Sequence, residues 1–395
     1  MGRLVLTTAG ESHGASMTAI LTGLPAGLAV DLDAVNAALA RRQGGYGRGG
    51  RMKIETDEVV VEAGLRRGVT LGSPMLLRVV NRDHRIDDAP AVRRPRPGHV
   101  DLAGMMKFGT KDAREVLERS SARETVVRVA AGAVTSQLLA EFGVRVHGYL
   151  VSLGDIDAAD IPDDPDDLVA ARDASEFYCP DVSADDAMKA AVDDVRAAGD
   201  TLGGVFEVRA FGVPPGIGTN ATFDGKLDAR LAGALMSIPA MKGVEIGLGM
   251  PAARMRGSQV HDPILPPSSG GGGRPRRARN HAGGIEGGIT NGEPVVVRVG
   301  MKPISTLMKG LPSVDVTTGE ETTAATERSD YTAAPAASVV GEAMVALVLA
   351  DALLTKTGGD TMVEARRNLE AHLAAVEDLF RAGDRKSLPD HGRDV

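Results

Sequence analysis

Part of the first half of this sequence returns in the second. Gly68-Val-Thr-Leu-Gly-Ser-Pro-Met-Leu-Leu-Arg-Val79 aligns with Gly288-Ile-Thr-Asn-Gly-Glu-Pro-Val-Val-Val-Arg-Val299. Upstream, Gly23-Leu-Pro-Ala-Gly27 echoes Gly212-Val-Pro-Pro-Gly216, and downstream Glu118-Arg-Ser-Ser121 echoes Glu327-Arg-Ser-Asp330. Glycine-rich turns can match by chance, but the shared order and the apolar run after each shared proline favour a duplicated α/β unit. The expected organisation is one domain, 1–395, with pseudo-repeats over 1–200 and 201–360 and a C-terminal helix and tail over 361–395.

Periodicity fills in that unit. Apolar residues at helical spacing predict helices over Leu32, Val35 and Leu39, from Ala113 to about Phe142, and over Met188, Ala191, Val192 and Val195 behind a cap at Ser183. Further stripes run through Leu227, Leu231, Leu235 and Ile238, through Val340, Met344, Leu347 and Leu354 up to Gly358, and through Leu369, Leu373, Val376 and Phe380. Strands are predicted at Leu4–Thr7, Lys53–Val61, Met75–Val80, Val205–Phe211 and Val295–Val299. The fold class expected is mixed α/β (α+β). Pro263 to Asn280, with four consecutive glycines and then arginines, reads as one long loop that orders over a site.

Composition excludes several functions. The N-terminus has no secretory or transit pattern, the apolar run Ala343–Ala350 stops at Asp351, too short to span a bilayer, and Cys179 is the sole cysteine. A cytoplasmic protein with no internal disulfide and no membrane partner is expected. The net charge is −8, yet arginines cluster at Arg41, Arg42, Arg48 and Arg51, at Arg93, Arg94 and Arg96, and at Arg274, Arg276, Arg277 and Arg279. An acidic protein with basic islands repels nucleic acid but holds a small anion locally. With no tryptophan and few Tyr and Phe, stacking platforms for single strands are not expected either. For the third cluster a solvated loop is the plainer reading.

Two motifs are met only in letters. Gly10-Glu-Ser12-His-Gly14 satisfies the serine-hydrolase elbow, but one strand precedes it where an elbow needs several. Gly45-Tyr-Gly47-Arg-Gly-Gly50 satisfies the dinucleotide fingerprint, but a helix precedes it and a strand follows, the reverse of the required context. Glycines beside Arg42, Arg48 and Arg51 still suit an anion, because backbone N–H groups approach it and forked guanidiniums grip it. His13 and His99 lie in glycine turns near arginines, which suits proton delivery to a developing anion. No spacing suggests a metal site.

Taken in order, Thr8–Gly14, Arg41–Met52, Arg94–His99, Glu118–Thr125, Met241–Gly247, Ala282–Gly292, Met301–Thr306 and Glu327–Asp330 resemble the chorismate synthase family closely. The resemblance implies a β-α-β sandwich, a homotetramer, reduced FMN, and a 1,4-anti elimination of phosphate from 5-enolpyruvylshikimate 3-phosphate without net redox change. NADPH enters as a reductant source, and with no reductase domain visible an external flavin reductase is the favoured partner. By the same resemblance Ser12, Arg42, Arg48, Arg51, Arg96 and Arg123 bind substrate. His13 protonates the leaving phosphate, His99 faces the flavin's pyrimidine end, and Asp330 with Ser329 relays a proton at the flavin N5. Flavin contacts are implied for Arg119, Ser120, Ser121, Ala240, Gly287, Lys302, Pro303, Ile304, Ser305, Thr306 and Arg328. Pro239 stands where the family has Asn or Gln, so that side-chain contact is lost. Two readings compete: a serine hydrolase using Ser12, and a flavin- or phosphoester-binding scaffold without turnover.

Overall fold

The computed structural model describes residues 4–49, 56–267, 273–327 and 329–380. Alternation decides the first sheet. In β1 (Val5–Ala9), β2 (Ser16–Thr22) and β4 (Met75–Val80) every second residue turns inward, and β3 (Val59–Ala63) alternates from Val59 to Val61 before an irregularity in its pairing. Met17, Ala19 and Leu21 of β2 and Met75, Leu77 and Val79 of β4 are buried, while Ile20, Val60 and Val80 face outward. The four strands pair antiparallel in the order β1-β2-β4-β3. Between β2 and β3 runs α1 (Leu32–Gln43), capped by Asp31, whose carboxylate accepts from Asp33 N and Ala34 N. After β4 come α2 (Asp101–Phe108), α3 (Arg114–Ser120) and α4 (Thr125–Ala140).

The second sheet repeats that layout. Its strands are β5 (Arg145–Leu153), the short β6 (Ile156–Asp157), β7 (Gly204–Phe211), β8 (Met241–Ile246) and β9 (Val295–Met301), in the order β8-β9-β7-β5-β6, all antiparallel. Helices α5 (Pro165–Ala174) and α6 (Asp185–Ala197) precede β7, α7 (Leu227–Met236) lies between β7 and β8, and the four-residue α8 (Gly257–Val260) follows β8. Then come α9 (Ala334–Thr357) and α10 (Met362–Leu379). Thus β1-β2-α1-β3-β4-α4 and β5-β7-α7-β8-β9-α9 follow one path.

The echoing segments carry the same bonds. Thr70 Oγ1 donates to Pro25 O at 2.7 Å and accepts from Leu28 N at 2.9 Å. Thr290 Oγ1 donates to Pro214 O at 2.6 Å and accepts from Ile217 N at 2.9 Å. Each threonine ends a two-residue hairpin that leads into the central strand β4 or β9. The junction differs from the expected one near residue 200. β5 already pairs with β7 through Arg145↔Phe211 and onward, so the chain changes sheet between α4 and Arg145. The stretch holding α5 and α6 is an excursion within the second unit, and an inserted excursion leaves no gap in a sequence alignment of turns.

Helices fill the space between the sheets. α4 packs on β2 and β4, α9 on β5 and β7, and the two helices pack on each other. The class is α+β, with a β-α-β arrangement. Helix α9 is long and apolar enough to cross a membrane, but it is mostly buried inside the protein. A helix apolar on all sides belongs in a core. Here the expected stop at Asp351 is overruled, because that carboxylate pairs with Arg230 and accepts from Leu4 N at 2.6 Å inside the fold. The expected helix over 113–142 is instead two. Ser121 is extended (φ −66°, ψ 145°) and breaks it into α3 and α4 with a short 3-10 turn between. Strands β2, β5 and β8 and helices α2 and α5 were not anticipated, since their apolar residues are interleaved with Ser, Thr, Gly and charges.

Candidate active site

Seven loop segments meet at one end of the helical layer. They are the β1–β2 hairpin loop with Ser12 and His13, the α1–β3 loop with Arg48 and Gly49, and the turn before α2 with Arg96, Gly98 and His99. The α3–α4 break adds Ser120, Ser121 and Arg123, the α7–β8 turn Ile238, Pro239 and Ala240, the segment after β9 Lys302 to Thr306, and the segment before α9 Glu327, Ser329 and Asp330. Together they enclose a cavity of about 440 Å³, within the range of small-molecule sites. Its floor is apolar: Ala333, Ala336, Ala337 and Val340 of α9 and its approach, with Ile238, Met241, Met301 and Ile304.

The loop after α1 depends on close approach. Tyr46 N donates to Glu176 O and Tyr331 N to Gly47 O, so the loop lies between the α5–α6 segment and the approach to α9. A Cβ on Gly49 would sit 2.7 Å from Ser329 O. That contact lets Asp330 accept from Gly49 N at 2.6 Å and pair with Arg48 Nη1 at 2.7 Å. Ala240 has φ 73°, a conformation that costs a non-glycine residue of order 1 kcal/mol or more. Its carbonyl accepts from Lys302 N, which ties the α7–β8 turn to the segment after β9 beside the cavity.

Buried carboxylates hold the cations in place. Asp57 pairs with Arg123 Nη1 at 2.5 Å and Arg42 Nη1 at 3.5 Å. Arg42 also donates to Thr125 Oγ1 and Ala122 O, and Arg123 to Asn81 Oδ1. Arg96 donates to Asp101 through N, Nε and Nη2, and to Thr306 Oγ1 through Nη1. Glu118 accepts from His13 N and pairs with His13 Nδ1 at 2.9 Å and Arg114 Nη1 at 3.1 Å. Arg114 also reaches Glu327 at 2.8 Å, so it joins the two glutamates of the repeated Glu-Arg-Ser motif.

These environments shift ionisation. Burial opposes ionisation of Asp101, but hydrogen bonds from His99 and Arg96 outweigh it and hold that carboxyl well below the ordinary range. Burial likewise opposes the Glu118 charge, and bonds from His13 and Arg114 prevail. Burial brings Arg42 down to about 10 against the pull of Asp57, and burial with nearby Lys242 lowers Lys302. A depressed carboxyl adds stability above its unfolded value of about 4, lost as pH falls toward the folded value. Urea midpoints measured from pH 6 downward are therefore expected to fall less steeply for Asp101→Asn than for the unaltered chain. Parallel curves would refute it.

The comparisons with known proteins agree on one family. The profile described as chorismate synthase matches residues 4–354. The chorismate synthase of Geobacter sulfurreducens is 53% identical over 93% of this chain and 98% of its own. That of Desulforamulus reducens is 52% identical over 92% and 96%. The chain belongs to the chorismate synthase family. A crystal structure of a chorismate synthase superposes with a TM-score of 0.78 at 42% identity, covering 95% of this chain and 98% of that one.

Of the residues the family resemblance marks, Ser12, His13, Arg42, Arg48, Arg96, His99, Ser120, Ser121, Arg123, Pro239, Ala240, Lys302, Ile304, Ser305, Thr306, Ser329 and Asp330 line the cavity. Three do not. Arg119 turns to the first sheet, donating to Gly10 O at 3.1 Å and Thr8 O at 2.9 Å. Gly287 lies in the turn between Ile285–Glu286 and Ile289–Thr290, and Pro303 is flanked by lining residues without being one. Arg51 and Arg328 lie outside the described residues, as do residues 268–272 of the long loop. The rest of that loop is partly ordered by the pair Ile264–Leu265 with Arg276–Arg277. Arg277 binds Glu286 and Arg279 binds the carbonyls of Ser258 and His261. None of Arg274, Arg276, Arg277 and Arg279 lines the cavity. Ser12 lies in a hairpin loop between two strands and not on a strand-to-helix turn, which counts against the hydrolase elbow. The carboxylates Asp57, Asp101 and Glu118 had no sequence assignment. The His99-x-Asp101 spacing and the recurrence of Glu118 at Glu327 were the available signals.

Proposed function

We propose that this chain forms chorismate. It is a lyase of the shikimate pathway that removes phosphate from 5-enolpyruvylshikimate 3-phosphate by 1,4-anti elimination with reduced FMN bound. The observation that carries this reading is one cavity shared by Arg42, Arg48, Arg96, Arg123, Lys302 and two imidazoles over an apolar floor, in a chain of this family.

The residues fit both molecules. A substrate with one phosphate and two carboxylates needs several forked cations. Bonds to Asp57, Asp101 and Asp330 fix the planes of these guanidiniums where they line the cavity, and forked N–H groups suit the oxygens of an anion. A flat tricyclic ring suits the Ala336, Ala337, Val340 and Ile238 surface, with Lys302 and Ser305 at its polar edge. Reduced FMN, when bound, supplies electron density to the allylic C–O bond and recovers it. His13 protonates the departing phosphate, and His99 offers a counter-charge to the flavin's pyrimidine edge. Asp330, with Ser329, handles the proton near N5 while holding Arg48 and Gly49. The same reading includes an external reductant, with NADPH behind it, a cytoplasmic setting and a homotetramer. The exposed outer face of the first sheet, with Val5, Ile20, Val60 and Val80, suits a subunit contact. The two equivalent strand-and-helix paths suit a single domain built from a duplicated unit.

The test is phosphate release, measured anaerobically with pre-reduced FMN and 5-enolpyruvylshikimate 3-phosphate. Stoichiometric phosphate and chorismate are expected, and FMN binding without release would leave only a scaffold. Arg48→Ala should weaken substrate binding about ten- to a hundredfold, the worth of a charge-assisted hydrogen bond of roughly 1.5–3 kcal/mol, with FMN affinity changed far less. Unchanged substrate affinity in the folded variant would remove Arg48 from the substrate site.

A further inference from the structure

Both histidines at the cavity are held in the same way, although they come from unrelated loops. His13 Nδ1 lies 2.9 Å from Glu118 Oε2 and 3.1 Å from Oε1. His99 Nδ1 lies 2.5 Å from Asp101 Oδ1. The carboxylates are almost fully enclosed, Glu118 at 2% exposure and Asp101 at 0%. Each is fixed from a second side by an arginine, Arg114 or Arg96, and from a third by a backbone N–H, of His13 or of Arg96.

The proton on each ring follows from this geometry. Both carboxylates are held ionised, so they only accept. A bare Nδ1 lone pair facing a carboxylate oxygen at 2.5–2.9 Å would be repelled, so Nδ1 carries hydrogen. Arg96 Nη2 lies 3.0 Å from His99 Nδ1, but it is also 3.0 Å from Asp101 Oδ1. One oxygen thus receives both donors, and the nitrogen–nitrogen approach is a consequence of that sharing. Neutral or protonated, each ring keeps Nδ1–H on its carboxylate, and the proton it exchanges is on Nε2.

We propose that Glu118 and Asp101 are positioning residues: each holds the Nδ1–H of its histidine and so assigns Nε2 to the proton chemistry in the cavity. The exchange role rests on the activity proposed above, whereas the tautomer does not. Other charges face these rings. Asp83 Oδ2 stands 3.9 Å from His13 Nε2, on the side away from Glu118. Lys302 and Ser305 lie beside Gly98, next to His99, with Ser305 Oγ donating to Gly98 O. Neither Asp83 nor Lys302 is placed to take the proton on Nδ1.

The full chain labelled with ¹⁵N-histidine tests this through long-range ¹H–¹⁵N correlations, taken about two units above the ordinary imidazole value of ~6.5. Loss of one signal set in His13→Ala and in His99→Ala assigns the two rings. Both are expected as the Nδ1–H tautomer. In Glu118→Gln and Asp101→Asn the new amide can donate to Nδ1, so the partner ring alone should turn to Nε2–H. Turnover should fall about 10²- to 10⁴-fold, the range for an imidazole whose orienting carboxylate is lost, with KM within about threefold in Glu118→Gln, because the Arg114 that Glu118 also holds does not line the cavity. Glu118→Asp and Asp101→Glu keep a carboxylate and should retain Nδ1–H with intermediate kcat. They and the unaltered chain decide the matter if an amide variant does not fold. An Nε2–H tautomer in the unaltered chain overturns the proposal, as does an amide variant with normal kcat. Tautomers as expected, with no phosphate released by the unaltered chain, would support the tautomer assignment and overturn the proposed activity.

Discussion

His13→Ala and His99→Ala are each expected to fold, to bind FMN and to lose turnover by about 10²–10⁴-fold, the usual worth of a positioned acid or base. Folding should survive because neither change strands a buried charge. Glu118 keeps Arg114 Nη1, and Asp101 keeps three donors from Arg96. The two losses have different origins and separate by measurement. Phosphate leaves poorly unless its new charge is neutralised, so His13→Ala should slow phosphate release in a single turnover and leave the ionisation of bound reduced FMN nearly unchanged. His99→Ala removes a counter-charge beside that flavin, so the pKa of the bound reduced form should rise. An unaltered rate in either variant, or the same flavin pKa in both, would abolish this division of roles.

Gly132→Val should destabilise the fold by at least about 3 kcal/mol, although helix propensity alone favours the change by a few tenths. Gly132 lies where α4 meets α9. A Cβ there would press on the Cβ, Cα and carbonyl of Ala343, 2.5 Å from that Cα. Two of those atoms are backbone, so no side-chain rotation relieves the contact and the helices must separate. Overpacking in a core costs about 1–3 kcal/mol and more where the backbone must move. Since α9 also carries Ala336, Ala337 and Val340 of the cavity floor, FMN binding should weaken as well. Gly233→Val in α7 is the control: nothing lies within 4 Å of its added Cβ, so it should stay within about 0.5 kcal/mol of the unaltered chain. With an unfolding entropy of about 2.1 cal/mol/K per residue, a chain of 395 residues shifts by about 1 °C per kcal/mol, so Gly132→Val should lower Tm by about 3–4 °C or more. Equal melting of the two variants would show that the helices can part freely.

The sequence by itself determined much of the local structure and the inventory of the site. The Gly68–Val79 and Gly288–Val299 echo was legible because a two-residue hairpin before a central strand needs Thr and Gly at fixed offsets, whatever surrounds it. Amphipathic helices such as α1, α7 and α10 were legible from spacing, because one face meets the core and the other meets water. The ordered motifs named the family and most of the cavity residues, since a polyanion calls for arginines in glycine loops. Tertiary structure decided the rest. Strand β5 joined the second sheet because its hydrogen-bonding partner is β7, a fact of pairing that no local pattern records. The helix expected over 113–142 broke at Ser121, which brings Ser120, Ser121 and Arg123 to the cavity. Arg119, one residue from Ser120, turned away because Thr8 and Gly10 offer it carbonyls on β1 and in the loop that follows. The proton assignments of His13 and His99 depend on Glu118 and Asp101. Glu118 is distant from His13 in the chain, and the His99–Asp101 pair acquires meaning only once burial removes water as the competing partner.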